Sequence, residues 1–150
     1  MTATLTLVLD TNVVLDWLVF GDAGVARLRE AVEQRRISIV THAAAIEELR
    51  RVLAYPQCKL AAADQDVMLN RYRTASYAAT LPVGFGLDNL LLPAGFPNCR
   101  DADDQHFLAL AYHAKADGLV TKDRQLLRLK KRAARFGVTI VNPRDFVAML

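Results

Sequence analysis

Among the 16 acidic residues of this chain, a few stand where a carboxylate could do chemistry. Asp10 directly follows the short apolar run Leu5 to Leu9, and Asp123 comes just after the run Gly118 to Val120, within Thr121-Lys122-Asp123. Runs of this kind read as strands buried on both faces. In an open parallel sheet, ligands bind beyond the carboxyl ends of the strands. Two carboxylates are therefore expected at one edge of a sheet, although either alone would serve equally well as a strand-ending turn or a helix cap.

Two further segments supply acids. In the helix that starts near Thr41, Glu47 has Arg50 and Arg51 three and four residues on, the spacing of a solvated surface pair. Glu48 falls instead on the stripe of Ala45, Leu49 and Val52, where a carboxylate needs a hydrogen-bond partner or a cation. The run RDADDQHFLALA places Asp101, Asp103 and Asp104 at a helix start, with Asp101 and Asp104 facing the same way. An acidic first turn stabilises a helix without any further role. Capping needs only one or two acids, however, and Asp104 heads the apolar stripe of Phe107, Leu108 and Ala111. Asp10, Glu48, Asp104 and Asp123 brought to one edge would repel each other unless some took up protons or a cation joined them. Oxygen donors of this kind suit Mg²⁺ or Mn²⁺ in preference to zinc or copper. Such an ion activates water and stabilises in-line displacement at phosphorus.

The elements that would position these residues alternate. After the first strand, Val13, Val14, Trp17 and Leu18 mark one helical stripe, and Val25, Leu28 and Val32 a second. A strand follows at Ile37 to Val40, then a helix capped by Thr41 and stopped by Pro56, and another over about Asp64 to Tyr77. Between Thr80 and Asn98 fall three of the five prolines and three of the seven glycines, among Phe85, Leu90, Leu91, Leu92 and Phe96. This stretch reads as a loop or edge-strand insertion, and as a contact for a second copy or another protein. A helix at about Asp103 to Lys115, the strand Gly118 to Val120, a basic helix at Arg124 to Arg132, a strand at Val138 to Val141 and a short helix after Pro143 complete the chain. The pattern predicts a three-layer α/β/α domain with a mostly parallel central sheet, in one unit spanning residues 1–150.

Composition sets the remaining bounds. With 53% apolar and 23% charged residues over 150 positions, the chain has the makings of a proper core and not of a disordered segment. Cys58 and Cys99 lack metal-binding spacing, and Cys99 reads as a small apolar residue. His42, His106 and His113 show no ligand spacing and are expected on helix surfaces or partly buried; Met68, Met149 and the aromatic residues are expected in the core. No apolar run is long enough to span a bilayer and the first basic residue is Arg27, so a cytoplasmic protein is expected. A net charge of +3 is too mild to imply a polyanionic partner. Its distribution says more, because seven Lys or Arg fall between Lys122 and Arg135 against the single acid Asp123. Beside a metal site, Lys122, Arg124, Lys130, Lys131 and Arg135 would hold phosphates without reading bases; by charge alone they would equally form a solvated helix face.

LVLDTNVVLD, IEELRRVL, CRDADDQHFLALA and LVTKDRQLL, in this order, resemble the PIN-domain nucleases, and within them the toxins of bacterial type II toxin-antitoxin pairs. The likeness covers roughly residues 5 to 54 and 97 to 147. It implies a Mg²⁺- or Mn²⁺-dependent endoribonuclease with Asp10, Glu48, Asp104 and Asp123 as its catalytic carboxylates. Asp101 matches a further acid of this branch, and Asn12 and Thr121 match polar residues beside the first and last aspartates. An RNA substrate and a cognate antitoxin are the partners so implied, and the insertion between Thr80 and Asn98 is where the antitoxin or, in a homodimer, a second copy would make contact. Residues 55 to 96 match nothing in the family pattern, so the choice of RNA does not carry over. Two other classes have partial claims. An aspartyl-phosphate phosphatase would need a second Asp where Asn12 stands, and a receiver-like Mg²⁺-binding module would need paired acids after the first strand, with Lys122 as its late lysine.

Overall fold

The computed structural model describes residues 4–150. Five parallel strands form the central sheet: β1 (Leu5–Leu9), β2 (Ile37–Thr41), β3 (Ser76–Ala78), β4 (Gly118–Val120) and β5 (Ile140–Val141), in the order β3-β2-β1-β4-β5. The helices are α1 (Thr11–Leu15), α2 (Ala26–Glu33), α3 (Ala43–Leu53), α4 (Ala62–Ala75), α5 (Gln105–His113), α6 (Arg124–Leu127) and α7 (Lys130–Ala134). Alternate strand residues enter different cores, as the pleat requires. Leu7 and Leu9 of β1 with Ile37 and Ile39 of β2 pack on one face among residues of α1 to α4, such as Val13, Leu28, Leu49 and Tyr72. Val8, Val40, Leu119 and Ile140 pack on the other, against Phe107, Leu108 and Leu110 of α5, Leu126 of α6 and Ala133 of α7. The result is the expected three-layer α/β/α arrangement.

The strand order reverses between β1 and β4, where Leu7 pairs with Gly118 and Leu9 with Val120. Chain leaving these two neighbours diverges to opposite faces and opens a crevice at their carboxyl ends, the place where open α/β sheets bind ligands. This order differs from the 2-1-3-4-5 of receiver domains. Lys122, which that alternative needs as a free lysine, is ion-paired with Asp16.

Several boundaries depart from the sequence reading. Thr41 ends β2, and His42 takes the N-cap position of α3 without a side-chain cap bond. The fourth helix stops at Ala75, because Ser76, Tyr77 and Ala78 pair in parallel with Ile39, Val40 and Thr41 and trade helical hydrogen bonds for a sheet edge. The basic helix is broken at Arg128 and Leu129 into α6 and α7, and β5 is confined to Ile140 and Val141. Residues 80–98 form no ladder beyond one antiparallel bridge between Gly86 and Asn89. Phe96 in that stretch is buried against Tyr112 and Phe136, and Leu81 and Leu92 pack on the same core. Phe96 is thus an anchor and not a docking residue, while Val83 and Leu87 are exposed. Nor are all aromatic residues in the core, since Phe20, Tyr55 and Tyr77 face solvent.

Candidate active site

Asp10 enters the crevice as the last turn of β1 becomes the first of α1. Its Oδ1 accepts the backbone N–H of Asn12 at 2.9 Å, capping α1, and its Oδ2 accepts the hydroxyl of Thr121 at 2.6 Å. The Thr121 hydroxyl in turn accepts the N–H of Asp123 at 3.0 Å, and Asp123 Oδ1 caps α6 through the N–H of Gln125 at 2.8 Å. Capping and site-building are therefore one device here. Each cap fixes a carboxylate by one oxygen and leaves further lone pairs free. Thr121 contacts both aspartates through its hydroxyl and the Asp123 N–H, whereas Asn12 contacts Asp10 through its backbone.

Asp104 comes from the opposite layer, at the start of α5, and its side chain makes no cap bond. Partial burial drives its pKa up to about 7, with the charge of Asp10, a shared proton with Asp123 and the charges of Asp101 and Asp123 acting in the same sense. Asp10 is also raised, by its burial first, against the hydrogen bonds from Thr121 and Asn12. Asp101 remains at the exposed rim, where Oδ1 accepts the N–H of Asp103 at 3.0 Å; its contribution is to the local negative field. Lys122 is tied to Asp16, and neither Arg124, Lys130, Lys131 nor Arg135 lines the two cavities around Glu48.

Glu48 lines the same cavity as Asp10, Asn12 and Asp104, a space of about 380 Å³. Burial works to raise its pKa, but the neighbouring His106, the hydrogen bond from Thr11 and the charge of Arg51 outweigh it, and the carboxylate is held ionised. Behind it, His42 Nε2 and His106 Nδ1 lie 2.9 Å apart, and His106 Nε2 faces Glu48 at 3.9 Å. One hydrogen between the two rings serves their contact, donated by either ring according to its tautomer. Burial, then the neighbouring His106, push the His42 pKa down to about 4, so this ring stays neutral. Both histidines are buried. Their pairing across 64 positions leaves no trace in local spacing, and neither Thr11 nor Asp16 carried a signal beyond closeness to Asp10.

Four carboxylates from four segments thus share one end of the sheet, with too much negative charge for all to ionise freely. Oxygen donors carrying unneutralised charge fit a hard divalent cation. Among the described residues no three His, Cys, Asp or Glu side chains are arranged to grip an ion together. Mg²⁺ typically keeps several waters and takes only one or two direct carboxylates.

A parallel α/β/α sheet with an acidic crevice at its switch point is a framework able to present carboxylates to a divalent cation. The family model of the PIN domain matches residues 6–125, and the chain belongs to that family. Its members are metal-dependent nucleases that typically use divalent ions such as Mg²⁺. No curated protein and no solved structure matches the chain. No helix among the described residues is long and apolar enough to cross a membrane.

Proposed function

We propose that the protein is a divalent-metal-dependent endoribonuclease that hydrolyses RNA phosphodiester bonds, acting as the toxin of a type II toxin-antitoxin pair. The observation that carries this reading is the convergence of buried Asp10 with Glu48 and Asp104 on one cavity, with Asp123 joined to Asp10 through the Thr121 hydroxyl. A divalent ion bound there would supply the activation of water and the neutralisation of charge developing at phosphorus. Asp10, Asp104 and Asp123 would hold it, one or two of them directly and the rest through its waters, Mn²⁺ serving as well as Mg²⁺. Thr121 fixes Asp10 and Asp123 relative to each other, and Glu48, kept ionised by Thr11 and His106, orients water in the cavity. Asp101 extends the negative field at the rim. The exposed Arg124, Lys130, Lys131 and Arg135 hold RNA flanking the crevice.

The test is cleavage of end-labelled RNA by purified protein with Mg²⁺ or Mn²⁺, against chelator and Asp10→Asn controls. Metal-dependent cleavage lost in the variant supports the reading; cleavage that persists with chelator or in the variant sinks it. The toxin role adds a cognate antitoxin, a homodimer and a cytoplasmic place of action. It predicts that expression arrests bacterial growth, that Asp10→Asn relieves the arrest, and that an adjacent short reading frame encodes the antidote.

A further inference from the structure

Among the described residues three aromatic side chains are strongly exposed, Phe20 at 52%, Tyr55 at 50% and Tyr77 at 48%. The first two line the cavity that contains Asp10, Glu48 and Asp104. Tyr55 also lines an adjoining cavity of about 460 Å³ with Arg51, Leu87 and His106, and Glu48, Val52 and Tyr55 belong to both. These three residues follow one another at helical spacing along α3 and just past its end, so the two spaces meet along one face of that helix. Charge is apportioned on the same helix. Arg50 is bound to Glu47, whereas Arg51 makes no ion pair among the described residues and faces the second cavity. A cleft beside the acidic crevice thus carries exposed rings and a guanidinium that reaches Glu47 and Glu48 only through its field, the components that hold an unpaired nucleic-acid strand.

We propose that Phe20 and Tyr55 are the base-stacking residues of this cleft and that Arg51 holds a neighbouring phosphate. An RNA strand then runs along α3 with its bases on the rings and a phosphate presented to Asp10, Asp104 and Asp123. Every base has a π-face, so the rings do not select sequence. They select for bases that are unpaired, because a base in a duplex offers its face only to its neighbours. The inference rests on the nuclease reading above and adds the residues that choose the form of the substrate.

The experiment measures binding of a short fluorescein-labelled unpaired RNA, and of the same strand in a duplex, to the full chain in chelator. Phe20→Ala and Tyr55→Ala should each weaken unpaired-RNA binding about 5- to 150-fold, with Tyr55→Phe close to wild type. A fluorescent adenine analogue in the strand should be quenched by wild type and much less by Tyr55→Ala. With Mg²⁺, kcat at saturating RNA should stay near the wild-type value while KM rises. Duplex bound as tightly as single strand, or unchanged affinity in both alanine variants, overturns the inference. If wild type cleaves RNA while those variants keep full affinity, the nuclease reading stands and this one falls. If wild type neither binds nor cleaves RNA, both fall. Alanine variants that keep RNA affinity but lose self-association would assign the rings to a protein contact.

Discussion

Asp104 and Asp10 show how a folded chain sets the charge on single carboxyl groups. Asp104 moves from an ordinary 3.8 to about 7, so across that interval the folded protein holds a proton that the unfolded chain has released. Its stabilising contribution is complete below about pH 4 and is lost as pH rises through about 7. His42 runs in the opposite sense. With a pKa lowered from 6.5 to about 4, its contribution is present above 6.5 and is lost as pH falls through 4. The two overlap, so the wild-type profile alone does not separate them, but Asp104→Asn does. In chelator, the melting temperature of Asp104→Asn relative to wild type should rise between about pH 5 and about pH 8, and Mg²⁺ should stabilise wild type more at the higher pH. A pH-independent difference would remove Asp104 from the shared-proton cluster. Asp10→Asn should lower metal-dependent cleavage by more than about a hundredfold, beyond what outer positions typically cost. The change relieves repulsion with Asp123 and Glu48, so chelator melting should show equal or greater stability.

The helices position these groups, and the long connection between β3 and α5 supports them from behind. Phe85 packs edge-on against both His42 and His113, and His113 Nε2 lies 2.8 Å from the Leu90 carbonyl. The connection is thereby held against the pair of histidines behind Glu48. Phe96 anchors its far end in the α5-side core. Phe96→Ala should cost about 3–5 kcal/mol in denaturant unfolding, as for other buried aromatic residues. Were this segment chiefly a docking surface, the substitution would leave stability nearly intact and change association instead. Leu53, buried on α3, faces the opposite core; Leu53→Ala should cost about 2–5 kcal/mol there without altering the contacts of Glu48 directly.

Across the whole molecule a small positive charge coexists with a concentrated acidic crevice, and the basic residues of α6 and α7 are the counterweight. If Lys130, Lys131 and Arg135 hold phosphates of a single strand, replacing all three by Ala should flatten the salt dependence of RNA affinity by about 0.7 log units per lost contact. Cleavage at saturating RNA should survive, because these side chains stand apart from the carboxylates. An unchanged slope in fluorescence titrations over a range of salt would leave α7 as a solvated face and place the electrostatic work on Arg51.

Local pattern was enough for most of the architecture. Continuous apolar runs marked β1, β2 and β4, and their alternation with helical stripes implied the parallel three-layer sheet, because buried strands and amphipathic helices each carry their own period. Acids at the strand ends and at the head of α5 were legible for the same reason: Asp10, Asp104 and Asp123 stand where an apolar run meets a turn. Ser76 to Ala78 were not legible as a strand, since a three-residue edge is created by its pairing with β2 and has no period of its own. The contacts of Glu48 were likewise hidden. Its position on the α3 stripe suggested a need for partners, but Thr11 lies 37 residues away and His106 on another helix, so only tertiary packing could supply them. The pairing of Lys122 was hidden too, because a basic residue beside Asp123 looks free until Asp16, just past α1, is folded against it. Charge pairing, proton sharing and exposure depend on distances between remote segments, and those distances exist only in the folded chain.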